Sequence, residues 1–245
     1  MPEWELLVDP VGTSGSANMA IDQALLDEAD RTGSSFLRLY RWSPPCLSFG
    51  RNEPAATRYD RAAIERLGID VVRRPTGGRA VWHDAEVTYA VAAPVAAFGS
   101  LRDSYRAIHA RLATALRDLG VPAELNADPG HRTPLDGGAC FANAVGGEVI
   151  VNGRKLVGSA QVRQGAAFLQ HGSILLDGSQ DVVAAVSRRP SAVSSHTTLQ
   201  TELARPVTFA EVVDAICDTW GEPLTSTHLH QPSPTSTTAL PAWRR

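Results

Sequence analysis

Between Leu101 and Leu119 the apolar residues Tyr105, Ile108, Leu112, Ala115, Leu116 and Leu119 fall on one stripe at helical spacing, and the run stops at Gly120. A helix this one-sided gains most of its stability from packing, so the stripe must lie on a second apolar layer. The chain supplies that layer as strands. Phe36 to Tyr40, Ile69 to Arg74, Val87 to Ala92 and Phe168 to Leu176 read as extended runs, and Glu148 to Val151 and Arg154 to Val162 flank Asn152-Gly153. Asn-Gly between apolar runs predicts a hairpin with a two-residue type I′ turn. Further helices are expected over 16–32, opened by Ser16, and over 58–67, 179–187 and 208–220. Strands and helices that alternate without an internal repeat predict one α+β domain, a central mixed β-sheet flanked by helices.

Composition narrows the class further. With 43% hydrophobic and 20% charged residues the chain is globular, and a net charge of −3 argues against nucleic-acid binding. The longest apolar stretch, Tyr89 to Phe98, falls well short of the ~18 residues of a membrane span. Met1-Pro2-Glu3 lacks the basic start of a signal peptide, so a cytoplasmic protein with no membrane partner is expected. Three cysteines, Cys46, Cys140 and Cys217, show no paired metal spacing and suit reduced thiols; no metal is expected. From Thr225 onward, eleven of twenty-one residues are Ser, Thr or Pro, which predicts a domain over 1–224 and a disordered tail over 225–245.

Three segments carry chemistry. Arg73-Arg74-Pro75-Thr76-Gly77-Gly78-Arg79 leads through Ala80-Val81-Trp82 to His83-Asp84. Glycines at a strand end expose backbone N–H groups at close range, and three arginines suggest an anionic guest, although a plain Pro-Thr-Gly-Gly turn would look alike. The second segment holds Lys155. Twenty-two of the 23 basic residues are arginine, so this solitary ammonium marks a place where a compact, tunable charge is needed. Strand periodicity puts Lys155, Ser159, Gln161 and Arg163 on one face, with Gly158 and Ala160 interleaved, and Gln170-His171-Gly172-Ser173 on the following strand. The glycine there signals close approach of a ligand or a backbone. The third segment, Gly137-Gly138-Ala139-Cys140-Phe141, ends a long loop from Asn126 and offers a thiol that a nearby ammonium would activate. Cys46 and Cys217 read as packed thiols.

Taken in order, these segments resemble the biotin/lipoate protein ligase superfamily in its lipoate branch. The Arg-Arg-x-Thr-Gly-Gly loop ending in His-Asp, the Gly153 to Gln161 lysine strand, Gln170 to Ser173 and the opening Asn18-Met19-Ala20-Ile21-Asp22 helix carry the likeness over about residues 4–220. Cys140-Phe141 stands where bacillus-type octanoyltransferases carry their nucleophile. The resemblance therefore implies transfer of octanoate from octanoyl-acyl carrier protein, through a cysteine thioester, to the lysine of a lipoyl-carrier domain such as glycine cleavage H protein, without a cofactor. Cys140 and Lys155 would be catalytic. Arg73, Arg74, Gly77, Gly78, Arg79, His83, Gly158, Ser159, Ala160 and His171 would bind substrate, and His83 or His171 would accept the acceptor's proton. Val71, Val81, Val157 and Ala160 are candidate linings for the acyl chain. Two alternatives stay open: an ATP- and magnesium-dependent lipoate-protein ligase passing through lipoyl-adenylate, and a non-catalytic protein that holds the carrier domain.

Overall fold

The computed structural model describes residues 4–127, 146–189, 195–226 and 242–243. In chain order the elements are β1 (Trp4–Thr13), α1 (Gly15–Thr32), β2 (Ser35–Trp42), β3 (Cys46–Phe49), α2 (Ala55–Arg58), α3 (Arg61–Arg66), β4 (Asp70–Arg73), β5 (Val81–His83) and β6 (Glu86–Pro94). After these come α4 (Leu101–Asp118), β7 (Glu124–Leu125), β8 (Val149–Val151), β9 (Arg154–Lys155), β10 (Val157–Gln164), β11 (Ala167–Leu175), α5 (Asp181–Ala185), α6 (Leu199–Leu203), α7 (Phe209–Thr219) and β12 (Leu224–Ser226).

Six strands form the main sheet in the order β10-β11-β6-β2-β1-β12, parallel between β1 and its two neighbours and antiparallel elsewhere. Side-chain alternation gives the sheet two apolar faces. Leu37, Leu39, Val87, Tyr89 and Val91 face one way and pack with Ile108, Leu112 and Leu116 of α4 and Val212 and Ile216 of α7. Phe36, Tyr40, Ala90, Ala92 and Leu169 face the other way and pack with Met19, Leu25, Leu26 and Ala29 of α1. Each such fully buried Leu or Phe contributes about 1.5–3 kcal/mol, so this three-layer core holds the architecture. The mixed sheet with helices on both faces is the expected class.

Local differences from the sequence reading have physical causes. Helix α1 is capped by Ser14, whose side chain accepts from the Ala17 N–H, two residues before the expected cap. Its buried face includes Asn18 and Asp22, which a count of apolar residues misses. Strand β1 escaped the reading because Pro10 and Gly12 (φ 86°) sit in it, and the register with β2 shifts between Asp9 and Thr13. The hairpin forms as expected, with Asn152 and Gly153 at φ 50° and 75°. The strand after it does not run unbroken. Lys155 pairs with Ile150 in a small sheet of β7, β8 and β9, whereas Val157 onward pairs with β11 in the large one, so Lys155 and Ser159 sit in different sheets.

A third cluster packs β3, β4 and β5 with α3 and α5 through Leu47, Phe49, Ile64 and Val183. Two parts of the expected tail have defined positions. Thr225 and Ser226 lie in β12 beside β1, and Trp243 packs on Phe49 with ring centroids 5.4 Å apart. Apart from Ala242 and Trp243, the residues from 227 onward lie outside the described residues.

Candidate active site

The glycine loop joins β4 to β5 and is held from behind by its own arginines. Arg73, 1% exposed, donates to the carbonyls of Gly50, Arg51 (3.3 Å) and Glu53 (3.0 Å), and also to that of Ala242 (2.7 Å). Arg74 donates to Ser48 O (2.9 Å), Ser48 Oγ, Gly77 O (3.3 Å) and Arg79 O (2.7 Å). These guanidinium forks brace the surrounding backbone through its carbonyls. Of the three arginines, Arg74 lines the cleft described below. Arg79 is 9% exposed. Gly78 adopts φ 93°, and its backbone lies so close to Gly50 that a Cβ on Gly50 would stand 2.0 Å from Gly78 O.

In front of this loop is a cleft, partly open to solvent, lined by Met19, Trp42, Val81, Ala160 and the polar residues His83, Ser159, His171 and Ser173, with Arg74 and Gly158 at its wall. One wall rests on Asp22. This buried carboxylate takes Arg38 Nη1 at 2.7 Å, Tyr40 OH at 2.9 Å and His171 Nδ1 at 2.8 Å. Burial alone would push the Asp22 carboxyl up, but the His171 hydrogen bond and the Arg38 charge outweigh it and hold the group below the ordinary carboxylate range. His171 Nε2 meets Thr76 Oγ1 at 2.7 Å, so the histidine ties the glycine loop to α1.

His83 is built in the same manner. Its Nδ1 is 2.8 Å from Glu86 Oε1, its Nε2 2.6 Å from Ser48 Oγ, and its ring stacks on Trp42 at 4.0 Å. Burial pushes the His83 imidazole below its ordinary value against the opposing pull of Glu86. Ser173 Oγ donates to the same Glu86 oxygen at 2.9 Å, as does Thr88 Oγ1. The rings and hydroxyls of this wall thus face the cleft with their polar atoms already bonded, which leaves a surface suited to hydrocarbon.

Lys155 lies outside the cleft lining. Its ammonium, 2% exposed, pairs with the equally buried Glu148 at 2.8 Å. Between Lys155 and the cleft stands His109 of α4, whose Nε2 is 2.8 Å from Ser159 Oγ and whose Nδ1 is 2.7 Å from Gly147 O. Burial first, with the Lys155 charge, pushes the His109 imidazole down to about 4. Gly172 faces Ser159 across the β10/β11 register, and a Cβ there would lie 2.4 Å from Ser159 Oγ, so its glycine serves close approach of protein rather than of ligand. Of the four candidate acyl linings, Val81 and Ala160 face the cleft; Val157 belongs to the α4 core and Val71 packs against the β3 cluster. Cys46 is fully buried and its thiol is pushed up by burial, in keeping with a packed thiol. Cys140 lies outside the described residues.

The profile of the lipoyl protein ligase A/B catalytic domain matches residues 14–221. The chain belongs to this family. Within the family, the sequence is 40% identical over 242 residues to "Octanoyltransferase LipM" of Kyrpidia tusciae, an alignment spanning 91% of this chain and 88% of that protein. It is 44% identical over 195 residues to the protein of the same name from Moorella thermoacetica, spanning 77% and 70%. Among solved structures, a lipoate-protein ligase A bound with ATP superposes with a TM-score of 0.75 over 94% of this chain and 90% of that one, at 21% identity. A putative lipoate protein ligase from T. acidophilum with bound lipoic acid gives 0.72 over 94% and 90%, also at 21%. At that identity the likeness is one of fold. The family's domain therefore accounts for the order of the loop, lysine strand and histidine strand along this chain.

Sequence reasoning missed Asp22, Arg38, Glu86, His109 and Glu148 as builders of the site. A signal existed for two of them: Asp22 interrupts the buried stripe of α1, and His109 sits beside Ile108 on the stripe of α4.

Proposed function

We infer that this acyltransferase of the lipoyl protein ligase A/B family is an octanoyltransferase, which moves an octanoyl group onto a lysine amine of a lipoyl-carrier domain. The observation that carries the reading is the 40% identity to an octanoyltransferase over nine-tenths of the chain. A cleft whose polar wall groups are bonded inward supports it, because a saturated chain needs shape and dryness from its site.

The proposed reaction has two steps. The Cys140 thiolate adds to the thioester carbonyl of octanoyl-acyl carrier protein, the carbon–sulfur bond to the carrier breaks, and the carrier leaves as its thiol after taking a proton. The acceptor lysine, as the free amine, then adds to the enzyme thioester. Its carbon–nitrogen bond replaces the bond to Cys140 sulfur, the thiolate returns and one proton leaves the nitrogen. We assign Lys155 to the oxyanion and the thiolate, a role for which its ammonium must share its bond to Glu148 with the acyl group. No bond in this sequence needs a nucleotide, and glycine cleavage H protein is the acceptor we assign.

The test is transfer in a defined mixture. Octanoyl-acyl carrier protein, the apo form of glycine cleavage H protein and the enzyme, without nucleotide, should give an octanoylated acceptor by mass spectrometry, and Cys140→Ser should abolish it. Product that requires ATP and free acid, and that survives Cys140→Ser, would replace this reading with the ligase chemistry.

A further inference from the structure

The wall that carries Ser159 contains a hydrogen-bond chain whose two ends are carbonyl oxygens, and carbonyls only accept. At one end Ser104 Oγ donates to Leu101 O at 2.9 Å, so the amide nitrogen of Gln161, 3.0 Å away, must donate to that hydroxyl. The same nitrogen donates to Gln170 Oε1 at 2.7 Å, which turns the Gln170 nitrogen towards Tyr89 OH at 2.8 Å. At the other end His109 Nδ1 is 2.7 Å from Gly147 O, so the ring carries its proton on Nδ1 and Nε2 accepts. Burial and the neighbouring Lys155 charge keep this imidazole neutral, pushed down to about 4. Around the ring stand Tyr105 of α4, in an edge contact at 4.2 Å, Tyr89 of β6 and Ser159 of β10, with the Lys155 and Glu148 pair beyond.

Two hydroxyls remain between these ends, and the protein acceptors within reach of their protons are each other and His109 Nε2. Tyr89 OH is 2.6 Å from Ser159 Oγ and 3.3 Å from His109 Nε2, while Ser159 Oγ is 2.8 Å from the same nitrogen. Either Tyr89 donates to Ser159 and Ser159 to His109, or Ser159 donates to Tyr89 and Tyr89 to His109; the shorter distance favours the first. In both arrangements the Ser159 proton is held inside the wall. With its proton turned to these partners, the half-buried Ser159 oxygen meets the cleft as an acceptor, oriented by Tyr89 and His109.

We propose that Ser159 binds an N–H of the incoming primary amine in the second step of the reaction, and that His109 is the positioning residue that fixes Ser159 as an acceptor. An acceptor-only oxygen repels a developing oxyanion and a phosphate alike, but it can orient an amine nitrogen for attack on the acyl carbonyl. The assignment rests on the two-step octanoyl transfer above and gives the acceptor amine, rather than the acyl donor, its contact in this part of the cleft.

Single-turnover kinetics separate the halves. Loading is followed by intact-protein mass spectrometry after mixing with octanoyl-acyl carrier protein. Discharge is followed on adding apo glycine cleavage H protein to the loaded enzyme. In Ser159→Ala the ratio of discharge rate to loading rate should fall about 10- to 100-fold, the range expected for one lost hydrogen bond near a charged or charge-developing group. His109→Phe should lower the ratio similarly. His109→Gln, whose amide can donate to Gly147 O and accept from Ser159, should recover most of it. An unchanged ratio in Ser159→Ala, or loading that falls as far as discharge, overturns the assignment, the latter by making Ser159 a group for the donor. Because Ser159→Ala removes a single oxygen, it keeps the proposal falsifiable if His109→Phe does not fold. Absence of any adduct on the wild-type enzyme removes the underlying two-step reading, and the assignment with it; an adduct with an unchanged ratio removes the assignment alone.

Discussion

On the α1 side of the cleft one ionised carboxylate, Asp22, gathers a guanidinium, a phenol and an imidazole, whereas on the β10 side Ser159, His109, Tyr89 and Gln170 form a chain of neutral groups. The ionic wall fixes where groups sit, because a buried charge stripped of a partner raises the energy of the whole fold. The neutral wall fixes which way a proton points, and a change there alters what the cleft can bind more than whether the chain folds. Two histidines that both look like proton carriers in the sequence fall on the first kind of wall. His83 and His171 have both ring nitrogens bonded to protein, and the imidazole with a hydroxyl between it and the cleft is His109.

The contrast is most exposed at Arg38. Arg38→Met leaves the fully buried Asp22 without its cation and should lower stability by about 3–5 kcal/mol in urea denaturation; a loss below about 1 kcal/mol would erase the distinction between the walls. Next comes Gly172→Ala, which forces a methyl to 2.4 Å from Ser159 Oγ and 2.5 Å from Gly158 O. Overpacking of this kind costs about 1–3 kcal/mol, and because the strain lands on Ser159, transfer to the acceptor should fall while secondary structure by circular dichroism is retained.

A third effect is set by pH. His109 stays neutral in the fold down to about 4, whereas an unfolded histidine takes up a proton near 6.5. Between those values the unfolded chain binds more protons, so stability falls as pH drops through that window, by about 1–2 kcal/mol between pH 7 and 5 from this residue. His83, also lowered, acts in the same direction. Melting curves of His109→Gln should show a shallower loss from pH 7 to 5 than wild type; parallel curves would mean that His109 is not the buried neutral group described. The smallest effect belongs to a pair outside both walls. Arg31 and Glu28 are 70% and 42% exposed, and Arg31→Ala should leave the urea midpoint where it is in the wild type, which sets the baseline for the buried substitutions.

Much of this was readable before the structure, and the unread part has a common cause. The α4 stripe and the Asn152-Gly153 turn are local patterns, and each lies where its spacing placed it, whereas Lys155 sits in a different sheet from Ser159. Short strands such as β3 and β5 are bounded by turns on both sides and are too brief to show a period. The break at Leu156 is set by which neighbour each half pairs with, a tertiary choice. The site's supports are tertiary as well: Asp22 and His171 stand 149 positions apart, so neither residue's surroundings announce the other. The arginines of the glycine loop have a structural role that their spacing did not announce. Their spacing suggested a ligand, and the structure bonds Arg73 and Arg74 to carbonyls of Ser48, Glu53 and Arg79, most of them distant in sequence.

In the reaction we propose, Cys140 carries the acyl group, and the mass of the intact enzyme reports whether it does. After incubation with octanoyl-acyl carrier protein, with and without ATP, the wild-type protein should gain one octanoyl group in both mixtures, and hydroxylamine should remove it. Cys140→Ser should gain no hydroxylamine-labile group. No adduct on the wild type in the absence of ATP, or the same labile adduct on Cys140→Ser, would contradict the account.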